Sequence, residues 1–493
     1  MKPTPTPRKI VIEIISLLYV LLFVYAAVSK LLDFQNFRVQ LGQSPLLSAF
    51  AEPIAVILPV LELVIAIALC IPKFRTPGLY MGFCLMVMFT CYIYMILHYS
   101  PFVPCSCGGV LENMDWQEHL LFNAVVTAMG AAALLLMSLN RKTVLRLSFG
   151  VVAALAVTVC CYLFSDSMIR KENPFVRRYT SMPFDNTVET RLPNPNFYLA
   201  GASDDSIFLG SYESPLHVLS LEGKLQKGTD HTLKLDSEDY DFRSIQVRVD
   251  PPFFHVWDGM VPVVFRGRTD SWKAEVVYEG SEFFTKAQPM GDGRVAIRAQ
   301  RPPKGEHLMA VLETGTPAGV IKRDGFLEKQ LDGIFDTEGT LQYSRDKGIF
   351  VYTYYYRNQF IVADSLLRVR YRGHTIDTTT VADLDIVRIA KTGDTKLARP
   401  PLTVNKGTSI HRNLLFVHSG LMGRYETREV WQQASIVDVY DLITGEYVTS
   451  FYVYDAHLEK MRAFRATDWG LYTLSGSTLQ LHYWSPSMAK LFR

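Results

Sequence analysis

Five apolar runs crowd the first 165 residues and constrain the fold more than any other feature. They fall at about 10 to 30, 52 to 72, 78 to 98, 119 to 139 and 145 to 165. Each approaches the roughly 20 residues that an α-helix needs to cross about 30 Å of hydrocarbon. The first run follows Arg8 and Lys9, as a secretory signal would follow its basic head. Its apolar core of about 20 residues exceeds the roughly 7 to 15 of a signal, and further spans follow closely, so it reads as a retained helix. Residues 190 to 493, by contrast, read as a charged, aromatic-rich globular sequence. A membrane part is therefore joined to a soluble part, and the bilayer is the first partner. The net charge of +2, with no Lys/Arg run, argues against a nucleic-acid partner.

Lysine and arginine in the short flanks set the orientation. One side receives Lys2, Arg8, Lys9, Lys73, Arg75, Arg141, Lys142 and Arg146; the other receives Lys30 and Arg38. The N-terminus is thus expected in the cytoplasm. The loop between the third and fourth runs then lies outside, and after five crossings so does everything beyond residue 166. Arg170, Lys171, Arg177 and Arg178 count against this, but they lead into a long domain, which tends to be exported whatever its charge. For a bacterial protein of the inner membrane that compartment is the periplasm, where thiol pairs can oxidise.

The outer loop carries Cys105-Ser-Cys107, followed by Gly108-Gly109, and no cysteine occurs after Cys161. Thiolate character rises with exposure and nearby positive charge, and His98 and His119 flank the loop. A disulfide two residues apart is feasible in a turn and strained, and strained, exposed disulfides tend to be the catalytic ones. The bland alternatives are a structural disulfide, two unreactive thiols, or a metal site completed by His98 and His119. Cys160 and Cys161, near the outer end of the fifth run, either exchange with the loop pair or pack. Cys70, Cys84 and Cys91 read as packing residues. Glu62 falls near the middle of the second run, just after Pro59. A carboxylate there is costly unless partnered, and it reads either as a proton-handling or quinone-contacting group or as a hydrogen-bonded structural carboxyl. Lys30 lies close enough to the outer interface to snorkel. No cofactor is identified; a quinone is compatible with Glu62, but nothing in the sequence supports one.

From about 197 onward short β-rich runs alternate with turn signals: Ser206–Gly210, Phe253–Trp257, Arg294–Arg298, Gly348–Tyr354, Leu414–His418 and Gly470–Leu474. Their starts lie roughly 40 to 65 residues apart, within or slightly above the spacing of four-stranded propeller blades. Each is followed by a second strand of apolar alternation, as at Gln359–Asp364 and Ser435–Tyr440. About 300 residues divided this way predict a six-bladed β-propeller, with five or seven blades as variants and a pair of β-sandwiches as the competing fold. The expected division is a four-helix domain at 1–140, a fifth helix at 141–166, a linker at 167–196 and the β domain at 197–493. The β part has no Gly-x-Ser-x-Gly, His-Glu-x-x-His or metal-spaced histidine cluster. His411 and His418 read as hydrogen-bonded or surface histidines, and Tyr352–Arg357 as either core or a propeller-face binding patch.

The N-terminal part resembles the MauE/DoxX-like family of redox-associated membrane proteins. The matching residues are Ala26-Ala-Val-Ser-Lys30 with Phe34 and Phe37, then Pro59 and Glu62, then Pro104-Cys-Ser-Cys-Gly-Gly109 followed by Trp116-Gln-Glu-His119. The resemblance covers about residues 8 to 140. It implies a four-helix membrane domain of the kind implicated in maturing the disulfide-rich small subunit of methylamine dehydrogenase. It also implies thiol-disulfide exchange with a periplasmic thioredoxin-like or client protein. Cys105 and Cys107 would then be the redox pair, with supporting roles for Glu62 and His119. The competing function is a membrane-anchored propeller that binds or senses a ligand without redox catalysis.

Overall fold

The computed structural model describes residues 7–44, 46–99, 114–171, 174–180, 182–203, 205–237, 239–291, 293–315, 319–388, 395–398 and 400–492. The chain divides into two compact units, Met1–Ser181 with Gly423–Glu426, and the remainder from Met182.

The first unit is helical: α1 (Pro7–Leu32), α2 (Phe34–Gln43), α3 (Ala51–Cys70), α4 (Arg75–Tyr99), α5 (Trp116–Met137) and α6 (Arg141–Lys171). Among the described residues five helices are long and apolar enough to cross a membrane, and they match the five runs read from the sequence. The short amphipathic α2, buried through Phe37 and Leu41, was not foreseen. Local chemistry starts α5 sharply: Asp115 and Glu118 form a capping box that satisfies orphan N–H groups of its first turn. Small residues let the helices approach. A Cβ on Gly82 would meet the Tyr19 ring at 3.0 Å, and one on Gly130 would overlap the Tyr19 hydroxyl. Tyr19 is fully buried and donates to the Val126 carbonyl at 2.8 Å, tying α1 to α5. Within this unit Glu426 accepts from Arg177 at 2.7 Å and from the Tyr179 hydroxyl at 2.6 Å.

The second unit is a succession of four-stranded antiparallel meanders. The first is β2 (Phe197–Ala202), β3 (Ser206–Ser211), β4 (His217–Glu222) and β5 (Lys227–Thr232), preceded in sequence by β1 (Phe184–Arg191). After the short β6 (Lys234–Leu235) come β7 (Gln246–Asp250), β8 (Phe253–Asp258), β9 (Val263–Arg268) and β10 (Lys273–Glu279). Next are β11 (Phe284–Pro289), β12 (Arg294–Arg301), β13 (Glu306–Glu313) and β14 (Gly319–Arg323), then β15 (Gly339–Ser344), β16 (Ile349–Tyr354), β17 (Gln359–Ala363) and β18 (Val369–His374). A hairpin of β19 (Ile386–Arg388) and β20 (Thr395–Leu397) precedes β21 (Asn405–His411), β22 (Leu414–Ser419), β23 (Ala434–Asp441) and β24 (Tyr447–Tyr454). The last sheet holds β25 (Met461–Ala466), β26 (Gly470–Ser475) and β27 (Thr478–Trp484), and its fourth strand is β1, antiparallel to β27.

First strands of successive meanders lie side by side: β2 touches both β7 and β25, β11 touches β15, and β15 and β25 both touch β21. At Gly201↔Val249 the β2 and β7 backbones pair in parallel, and a Cβ on Gly201 would fall 1.8 Å from the Val249 carbonyl oxygen. Only glycine permits that approach. Consecutive meanders ringed in this way, with the first strand pairing the last, make a β-propeller-like domain; two packed sandwich layers do not describe it. The expected linker needs correcting, because its residues 184–191 are β1. That strand was missed because Phe-Asp-Asn-Thr-Val-Glu-Thr-Arg lies at a sheet edge and exposes most of its side chains.

Candidate functional site

The most unusual chemistry of the helical unit is an ion pair between α1 and α3. Lys30 Nζ donates to Glu62 Oε1 at 2.6 Å, and Glu62 is fully buried. A carboxylate can be enclosed only if a partner offsets its lost hydration, and the ammonium supplies that offset. The Lys30 ammonium also lies 5.8 Å from the Phe37 ring centre and 6.0 Å from that of Phe89, distances at which ring faces attract a cation. Glu62 Oε2 is enclosed as well, with no hydrogen-bond partner among the described residues. Pro59 sits one turn earlier inside α3, where it removes a backbone donor from the helix. The sequence reading had Lys30 snorkelling outward; instead it turns to Glu62. The signal lay in the resemblance, whose matching residues include both Lys30 and Glu62 although 32 residues separate them.

Cys105 and Cys107 lie outside the described residues, in the connection from α4 to α5, two helices packed against each other. The described ends of that connection carry the two expected histidines. His98 stacks on Tyr94 with ring centres 4.3 Å apart, and its Nδ1 is 3.0 Å from the Tyr94 carbonyl. His119 lies in the first turn of α5, its ring 6.1 Å from that of Trp116, with Nδ1 enclosed and unpartnered among the described residues. Cys70, Cys84, Cys91, Cys160 and Cys161 are free thiols; Cys160 is exposed and Cys161 half-buried on α6. Cys91 contacts Met95 sulfur at 3.8 Å, and Cys84 packs within the helical core.

In the β unit Tyr352 and Tyr354 are fully buried, and Arg357 stacks on the Tyr354 ring at 3.6 Å, so these three are core, while Tyr355 and Tyr356 are half-buried. His411 Nε2 lies 3.1 Å from Asp468, whereas His418 is buried beside Phe464. Burial, with help from Lys406 and Lys460, pushes the His418 imidazole down to about 3. Among the described residues no group of histidine, cysteine, aspartate or glutamate is arranged to hold a metal ion. A cleft of about 430 Å³ beside β13 and β14 is lined by charges that already pair, Lys329 with Glu306 at 2.7 Å and Arg301 with Asp324.

Among curated proteins none matches this sequence. Solved structures overlap the chain at low identity. A DUF4221-family protein from Bacteroides vulgatus is 12% identical, covering 61% of this chain and 97% of its own, with a TM-score of 0.41. An exported protein of Bacteroides fragilis is 8% identical over 62% of this chain and 98% of its own, also at 0.41. A luciferin-regenerating enzyme is 9% identical over 60% and 94%, at 0.34. The helices give a further match: residues 8–138, the stretch of α1 to α5, are similar to the family described as methylamine utilisation protein MauE.

Proposed function

We propose that this chain is an inner-membrane maturation factor that exchanges electrons with a periplasmic thioredoxin-like or disulfide-containing client through Cys105 and Cys107. The observation that carries the reading is the MauE match over residues 8–138, which takes in the α4–α5 connection and its Cys-Ser-Cys-Gly-Gly sequence. One loop cysteine, as thiolate, attacks a sulfur of the client disulfide, forming a mixed disulfide and releasing a client thiolate. The second loop thiolate then attacks the mixed disulfide, which leaves the loop pair oxidised and the client with both thiols, two electrons having passed to it. The same steps in reverse oxidise a client dithiol. The Lys30–Glu62 pair and His119 act as supporting groups in the bundle, and Cys160 and Cys161 as a relay.

The β unit is read as a six-bladed propeller on the periplasmic side. The repeated four-strand order and the β1–β27 closure support the blade count, and the lysine and arginine asymmetry of the short loops supports the placement. Trapping tests the redox reading. Cells carrying Cys105→Ser or Cys107→Ser should accumulate a mixed disulfide between the remaining loop thiol and a periplasmic protein, absent from the double variant. If neither single variant captures a partner, disulfide exchange is excluded.

A further inference from the structure

The cleft beside β13 and β14 holds one cation that its ion pairs leave unmatched. Its volume, about 430 Å³, suits a small molecule. The charged side chains lining it are Arg301, Arg323 and Lys329 against Glu306 and Asp324. Glu306 takes Lys329 at 2.7 Å and Asp324 takes Arg301, which leaves Arg323. The surrounding carboxylates are committed elsewhere as well. Glu282 pairs with Lys322 at 2.7 Å, Glu313 with Arg294 at 3.7 Å and Glu328 with Arg372 at 2.9 Å. Asp364 accepts the N–H groups of Leu366 and Arg368, and Asp336 those of Leu331 and Gly333.

Arg323 is the last residue of β14, where it stands opposite the fully buried Met309 of β13. Its Nε donates to the Leu366 carbonyl at 2.7 Å, which fixes the plane of the guanidinium. The two terminal nitrogens have no hydrogen-bond or ion-pair partner among the described residues. A guanidinium offers five N–H donors in a fixed fork, so its end-on pair of nitrogens is left to grip two oxygens. The rest of the wall is uncharged. His307 is 9% exposed and its Nδ1 lies 3.2 Å from the Thr337 hydroxyl. Burial holds its imidazole down to about 3, so at neutral pH it is an uncharged ring. Leu308 and Leu327 add apolar surface.

We infer that this cleft binds a small monocarboxylate, its carboxylate on the terminal nitrogens of Arg323 and its apolar body against Leu308 and Leu327. One unmatched cation calls for one negative charge, and the planar fork matches a carboxylate in shape. The leucines beside it favour a short hydrocarbon body over a bare ion. The site lies within the β unit and stands independently of the cysteine chemistry.

The test uses the full chain purified in detergent, with thermal unfolding followed by tryptophan fluorescence; five of the six tryptophans, all but Trp116, belong to the β unit. Butyrate, inorganic phosphate and chloride are titrated separately at matched ionic strength. The midpoint should rise in a saturable way with butyrate and not with chloride. Arg323→Gln should weaken that response about tenfold or more, the loss of one charge-assisted pair. Arg323→Lys, which keeps a donor for the Leu366 carbonyl but not the fork, should weaken it too, and it decides if the first variant fails to fold. Lys322→Gln, on the exposed face of β14, should respond as the wild type does. The site would be overturned by no shift beyond chloride, by a phosphate response equal to or above that of butyrate, by Arg323 variants that respond as the wild type does, or by a Lys322→Gln response as weak as theirs.

Discussion

The two units solve opposite solvent problems, and their buried charges differ accordingly. In the helical unit large apolar side chains point outward, with Leu21 69% and Phe149 75% exposed, while Tyr19, Glu62 and the tip of Lys30 turn inward. In the β unit apolar residues fill the interior: β16, β22 and β26 are buried along their whole length. The enclosed acid of the helical unit has its cation at 2.6 Å. The enclosed Arg298 of the β unit instead pairs at 3.3 Å with Glu338, a carboxylate that is 32% exposed. A bundle built for lipid has no water to fall back on, so its charge must be matched within the fold. A water-facing domain can leave one partner of such a pair partly in solvent, as Glu338 is.

The contrast can be broken most severely by acid. His255, His307, His418 and His482 are buried in the β unit and held to about 3, 3, 3 and 4 respectively, burial being the main cause in each case. Their folded-state values lie below the ordinary value near 6.5, so the unfolded chain binds protons that the folded unit excludes. Stability is full above about pH 6.5 and falls below it, by about 1.4 kcal/mol per pH unit for each histidine, until each folded-state value is reached. Denaturant titrations at pH 7 and 5, read by tryptophan fluorescence, should show a loss of several kcal/mol, and His418→Leu should reduce the slope by one histidine's share. A flat profile would mean that these imidazoles bind protons in place.

Removing the matched cation from the helical unit comes next. Lys30→Met leaves Glu62 enclosed without its partner and should cost about 3–5 kcal/mol, whereas adding Glu62→Leu should recover most of that. Unfolding of the detergent-solubilised chain measures both, and a harmless single substitution would show that the pair matters little. Gly201→Ala should destabilise the ring by about 1–3 kcal/mol, since the Val249 carbonyl cannot give way. Gly407→Ala on β21 is its control, for the nearest atom to a Cβ there is 4.0 Å away. Tyr19→Phe should be mildest, losing one hydrogen bond worth about 1 kcal/mol.

Sequence reasoning found what local pattern encodes. The six β-rich runs are β3, β8, β12, β16, β22 and β26, each the second strand of its meander. Such strands are covered on both faces, which makes them continuous apolar runs. First strands hid themselves, because β7 reads Gln-Val-Arg-Val-Asp and its arginine looks like a surface residue. The widest gap, between the fourth and fifth runs, is filled by the β19–β20 hairpin. Five spans were legible because length and apolarity are additive along a chain. Long-range partnership is not, so the Lys30–Glu62 pair could not be read from spacing.

The pairing of β1 with β27 also has a kinetic side. Thr187 and His482 stand 295 residues apart in sequence yet are cross-strand partners joined at 2.9 Å. The first strand to be synthesised therefore waits for the last. Until translation delivers Thr478–Trp484, β1 is an unpaired edge, and no subset of sheets amounts to a finished ring. Closing so distant a pair makes folding slow compared with forming the local hairpins. A chain interrupted shortly before its end would present an open sheet edge to the quality-control proteases of its compartment.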